Sequence, residues 1–299
     1  MTVVDDVVPK TQRETTPYLS TFRPRLMDWE AAKVFATKNL RIAIRYPANF
    51  LIWGILPLLW YAPYLLMMIA IAGPGTSQSF TELSGFDDFI TFSVIEIFVY
   101  QYVDKSIWSV GNNFRWEQFS GTLEPLFVTP VPRISILVGA AFSDTLQCTF
   151  SATILLVISS LLFGVVYAIT MVAPIVVMLI MMVFGLYGFS FLIAGLILVF
   201  KDPSVLTELI SNITYVLSPI TYPLQALPSS VRLAAVLVPS TIAIVTIREL
   251  AVTGVFEPIS FLQALIGLLG LVIVFWIIGI LAFRWGEKWT KDRGSMGGF

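Results

Sequence analysis

MVAPIVVMLIMMVFGLYGFSFLIAGLILVF, residues 171–200, runs for thirty residues without a charged side chain. Wound as an α-helix at about 1.5 Å per residue it reaches about 45 Å, more than the roughly 30 Å hydrocarbon core of a bilayer. Working outward from it, the runs 49–72, 89–110, 134–163 and 259–285 reach a spanning length, and 204–227 does so while studded with Ser and Thr. The expected fold class is therefore all-α and integral to a membrane, with six transmembrane helices. Composition agrees. The chain is 57% hydrophobic and only 12% charged, against about 25% charged for a soluble domain.

The same composition removes several function classes. There is no histidine, which excludes histidine general bases and histidine metal ligands. The single cysteine, Cys148, excludes a disulfide within the chain. A net charge of −1 argues against nucleic acid as a partner. No G-x-x-x-x-G-K-[ST] phosphate loop occurs, so any ATP used uphill must be bound by another chain.

Flanking segments fill in the layout. Residues 1–27 carry Asp5, Asp6, Lys10, Arg13, Glu14, Arg23 and Arg25 with no apolar centre, and read as a polar cytoplasmic tail rather than a cleavable leader. Residues 28–47 mix Trp29, Val34, Phe35, Leu40, Ile42 and Ile44 with Lys33, Lys38, Arg41 and Arg45, the pattern of a basic amphipathic helix lying at the membrane face. Asp28 is placed to cap it. The six-span body then runs over 48–290, with a second cytoplasmic tail at 291–299. Between the last two runs, Pro228, Pro239, Gly254 and Pro258 cut 228–256 into pieces near 230–238 and 241–252, each too short to cross. They read as a re-entrant helical hairpin before the last span or as a folded external loop.

Orientation follows from the basic residues. With both termini cytoplasmic, 16 of the 18 Lys and Arg lie on the inner side, and only Arg232 and Arg248, both in the hairpin region, lie outside. The expected location is a cell membrane, multi-pass.

Polar positions inside the apolar runs are the candidate functional residues. Ser204, Thr207, Ser211, Thr214, Ser218, Thr221 and Gln225 recur in alternating steps of three and four, which keeps them on one helix face through the full bilayer. Such a face either packs closely on another helix or walls a wet path. Trp53, Pro57, Trp60 and Tyr64 share a face of the first run and either line that path or anchor the helix. Glu96, Tyr100 and Asp104 follow one another at i+4, and Asp144 lies at a similar depth. A charge at mid-bilayer costs about 2.5–3.5 kcal/mol, so these groups must be paired, protonated or wet. The candidate translocation path is therefore Trp53, Trp60, Glu96, Tyr100, Ser211, Thr214, Ser218, Thr221 and Gln225.

The loop 111–133, GNNFRWEQFSGTLEPLFVTPVPR, carries Leu123, Leu126 and Phe127 at i, i+3, i+4, an apolar knob on the water side. It must dock on the membrane, on its own chain or on a partner. The stretch Glu117 to Pro130 (EQFSGTLEPLFVTP) resembles the cytoplasmic signature of type-two ABC exporter permeases, the family of drug, polysaccharide and teichoic-acid exporters. The run from Ser218 (SPITYPLQALPSSVRLAAVLVPSTIAIVTIREL) is similar to that family's fifth-span end and re-entrant segment. Family loops often carry Glu-Arg-Glu before the Gly-Thr, whereas Arg115-Trp116-Glu117-Gln118 stands here.

The resemblance implies that 122–129 is a coupling helix, with Glu117, Gly121, Thr122, Leu123, Glu124, Leu126 and Phe127 meeting a separate nucleotide-binding subunit. It implies two such subunits per complex, a second permease protomer in a homodimer, ATP and Mg on the partner only, and no enzymatic step on this chain. The expected cargo is an amphipathic lipid, hydrophobic drug or lipid-linked glycan. The alternative is a proton-coupled secondary transporter using Glu96 and Asp144, although such folds usually show paired broken helices and only one break is visible here.

Overall fold

The structure is a computed structural model and describes residues 27–72, 78–86, 88–122, 125–126, 129, 131–165, 167–200, 203–220 and 222–292. The tails 1–26 and 293–299, and the sequence candidates Leu123, Glu124, Phe127 and Thr221, lie outside the described residues.

Among the described residues every regular element is helical. The α-helices are α1 (Trp29–Arg45), α2 (Pro47–Ala72), α3 (Gln78–Ser84), α4 (Phe89–Phe119) and α5 (Arg133–Phe163), then α6 (Val172–Phe200), α7 (Pro203–Leu217), α8 (Ser229–Val236), α9 (Pro239–Thr253) and α10 (Pro258–Asp292). Among the described residues three stretches, Arg133–Phe163, Ile169–Leu196 and Pro258–Gly286, are long and apolar enough to cross a membrane. The number rises to five if each of two bent pairs, α1 with the first part of α2 (87°) and α8 with α9 (93°), counts as one span. The chain is a multi-pass membrane protein on this measure.

Local sequence explains the boundaries. Asp28 caps α1 as expected, its carboxylate accepting from the Glu30 and Ala31 N–H groups at 3.0 and 3.3 Å. Tyr46 precedes Pro47 and leaves the helical region, which sets the sharp bend into α2. α4 runs to Phe119, nine residues beyond the expected end at 110, so the first third of the loop 111–133 is helix. It stops where Gly121 takes φ +68° and the Thr122 N–H reaches back to the Glu117 carbonyl at 2.9 Å, a closure that favours glycine.

One expectation is corrected. The polar run 204–227 is not one spanning helix: α7 ends at Leu217 after 15 residues, about 22 Å, short of the bilayer core. Pro219 has no N–H to continue the ladder and disfavours a helical Ser218 before it. The chain continues through turns and a short 3-10 segment at Leu224–Ala226, so Gln225 is not on the α7 face.

Contact registers fix the helix directions. Tyr187 of α6 meets Thr145 and the Ala141 carbonyl of α5, and Leu137 of α5 clusters with Phe191, so these two helices are antiparallel. α6 and α10 are parallel and meet backbone to backbone. A Cβ built on Gly279 would strike the Gly188 carbonyl, and one on Gly286 the Gly195 carbonyl. The seven-residue spacing on both helices repeats this approach every two turns, the geometry of small-residue packing in membranes. Because α6 and α10 run the same way, residues 201–257 must carry the chain back across the thickness of the bundle.

Candidate functional site

α4 is the spine on which the polar groups are hung, about one per turn, and each docks a different element. At the top Glu96, with no exposed side-chain surface, receives a hydrogen bond from Arg248 of α9 at 2.6 Å. Arg248 is itself 4% exposed and lies 4.2 Å from the Phe92 ring centre. Glu96 Oε2 and Arg248 Nε are left without a partner among the described residues. Arg248 escaped sequence reasoning, which counted it only as an outer-side charge. The available signal was a lone cation within an apolar helix, which needs a carboxylate.

One and two turns below, Tyr100 and Asp104 face α7 and α2. The Asp104 carboxylate accepts from Ser211 at 3.1 Å, with the Trp108 indole nearby. Tyr100 and Tyr215 meet edge to face with centroids 5.3 Å apart. Tyr61 of α2 lies near Tyr215, Tyr100 and Asp104. Of the expected path residues, Tyr100 and Ser211 thus come together with Asp104, already singled out as an in-membrane charge, while Tyr61 and Tyr215 join them.

Below this level Asp144 of α5 is held by α4. It accepts from Ser109 at 2.5 Å and Asn113 at 2.8 Å, with Lys105 at 3.7 Å. Asn39 of α1 closes the knot, reaching Asn113 and Ser143 at 3.4 and 3.3 Å. Asp144 therefore makes the interhelical hydrogen bonds that its depth demands.

At the foot of α4, Lys38 of α1 pairs with Glu117, whose other oxygen accepts from Thr122 at 2.6 Å. Asp28 N–H donates to Ser135 at 2.7 Å, and the Ala32 carbonyl lies where Gly139 has no side chain. Leu126, the described member of the apolar knob, packs on Phe35, Ile136 and Ala140. Trp116 and Phe119, by contrast, are 66% and 73% exposed.

The Ser/Thr stripe turns inward. Thr207, Ser211, Thr214 and Ser218 are all buried, and Ser218 shares a hydrogen bond with Ser240 of α9 at 2.6 Å. Val205, Leu209, Ile213 and Val216 form the open face of α7. Packing of α7 on its own bundle thus accounts for the stripe at these positions. Trp53 and Trp60, 58% and 65% exposed, lie on the outer surface of α2 and do not join the α4 cluster. No group of metal-ligating residues is found among the described residues.

No family model matches the chain, and no curated protein matches it.

Proposed function

We propose that the chain is the permease subunit of an ATP-driven exporter. In this reading α2, α4, α5, α6, the segment from α7 to the start of α8, and α10 are six spans, α1 lies at the inner face, and α8–α9 form a re-entrant corner on the outer side. Alternation of helix direction supports this count, because α6 and α10 are parallel and something between them must recross. The inner-side excess of Lys and Arg supports cytoplasmic termini.

The observation that carries the reading is the foothold at the base of α4. Lys38, Glu117 and Thr122 join α1, α4 and the start of the 122–129 segment in one chain of contacts, and Leu126 rests on Phe35 of α1. A push on that segment reaches both α1 and the longest polar helix of the bundle. Two nucleotide-binding subunits, each holding ATP and Mg, would supply the push to a homodimer of this chain. Glu96 and Asp144 already have partners, so the proton-coupled alternative gains no support from a free acid.

The test is co-purification of an ATP-binding cassette subunit encoded beside this chain. Leu126→Asp with Phe127→Asp should abolish it while leaving insertion and elution volume unchanged. An ATPase that co-purifies equally with this variant, or an intact chain that recruits none, ends the reading.

A further inference from the structure

The Asp104 cluster has a charge imbalance that the rest of the α4 spine does not. Glu96 is matched by Arg248. Below it stand two carboxylates, Asp104 and Asp144, and the cation between them, Lys105, reaches Asp144 at 3.7 Å. Asp104 accepts from the neutral Ser211 hydroxyl, with the Trp108 indole nearby, and shares the single Lys105 ammonium with Asp144. Around it are the rings of Tyr61, Tyr100, Trp108 and Tyr215, drawn from α2, α4 and α7. Asp104 and the three tyrosines are each half-buried.

We infer that this cluster is a binding site for an amphipathic organic cation, an amine or quaternary ammonium carried on an apolar body. A cation placed there supplies the second positive charge that Asp104 and Asp144, sharing Lys105, lack, and meets the negative faces of aromatic rings, an attraction that strengthens away from water. The apolar remainder of such a molecule suits the surrounding membrane. A neutral glycan would leave the Asp104 charge unanswered, and an anionic lipid head would add to it. The proposal deepens the permease reading by naming its cargo class, and it rests on that reading for transport but not for binding.

The test is equilibrium binding of tetraphenylphosphonium to the purified full-length chain in nanodiscs, with tetraphenylborate as a probe of the same shape and opposite charge. Wild type should bind the phosphonium at least about tenfold more tightly than the borate. Asp104→Asn should remove that preference, Asp104→Glu should keep it, and Tyr215→Leu should weaken phosphonium binding about tenfold while Tyr215→Phe retains it. Equal affinity for the two probes in wild type, or an unchanged preference in Asp104→Asn, overturns the proposal. If Asp104→Asn fails to fold, loss of the preference in Asp104→Glu or full binding by Tyr215→Leu overturns it equally. If binding behaves as expected but no ATPase is recruited, the exporter reading fails and the cation site stands. If an ATPase is recruited and charge preference is absent, only the cation site falls.

Discussion

Cutting the Glu96–Arg248 pair tests whether the α8–α9 corner is held to the bundle by charge. Both side chains are essentially removed from solvent and meet at 2.6 Å. Removing one member of such a pair leaves the other buried and uncompensated, a cost of about 3–5 kcal/mol. Arg248→Met should sit at the upper end of that range, because it also loses the contact over Phe92. Glu96→Leu should cost about 3 kcal/mol or more by the same argument. The double variant removes both charges together with the unpartnered Glu96 Oε2 and Arg248 Nε. It should therefore recover most of the loss, since well-packed apolar replacements of buried pairs are often neutral.

The assay is a double-mutant cycle on reversible unfolding in mixed micelles of rising SDS fraction, followed by tryptophan fluorescence. The expected coupling is about 3 kcal/mol or more, about a hundredfold in the unfolding constant. Hydrogen exchange in the single variants should rise first in Ser229–Val236 and Pro239–Thr253, the elements the pair tethers. Additivity of the two single losses within about 0.5 kcal/mol would mean that the side chains do not interact, and would refute the reasoning.

The α6–α10 seam should be intolerant of any added side chain. Gly195→Val places a Cβ 2.5 Å from the Ala282 backbone and should cost at least about 2–3 kcal/mol in the same unfolding assay, whereas Gly270→Ala, with nothing within 4 Å, should cost less than about 0.5 kcal/mol. Ser218→Cys with Ser240→Cys, in a Cys148→Ala background, should form a disulfide on mild oxidation, read as a mobility shift that reductant reverses, because the two hydroxyls lie 2.6 Å apart. Lys38→Glu should loosen α1 from the foot of α4, raising protease cleavage in Trp29–Arg45, and adding Glu117→Lys should restore protection. Cleavage that ignores the second substitution would remove the pairing from the account.

Membrane class, the amphipathic first helix and its Asp28 cap, and the broken corner near 228–256 were legible because each depends on residues close in sequence. Apolar runs report the solvent, proline and glycine report the breaks, and one carboxylate reports a helix start. The polar stripe was legible as a pattern, but its orientation was not, and its length was overread because Pro219 stops α7 at Leu217. Thr207 to Ser218 face the bundle and not an open path at these positions, a result set by where α4 and α9 lie.

By itself the sequence determined the solvent of this protein, the extent of its apolar runs, and which buried charges would need company. Only the tertiary structure decided the company: Glu96 finds Arg248 across 152 residues, and successive turns of α4 gather α9, α7, α5 and α1 in descending order. Hydropathy is a property of each residue and its neighbours. Charge pairing and backbone approach depend on which helices pack together, and the glycines that let α6 and α10 touch look, in sequence, like any others.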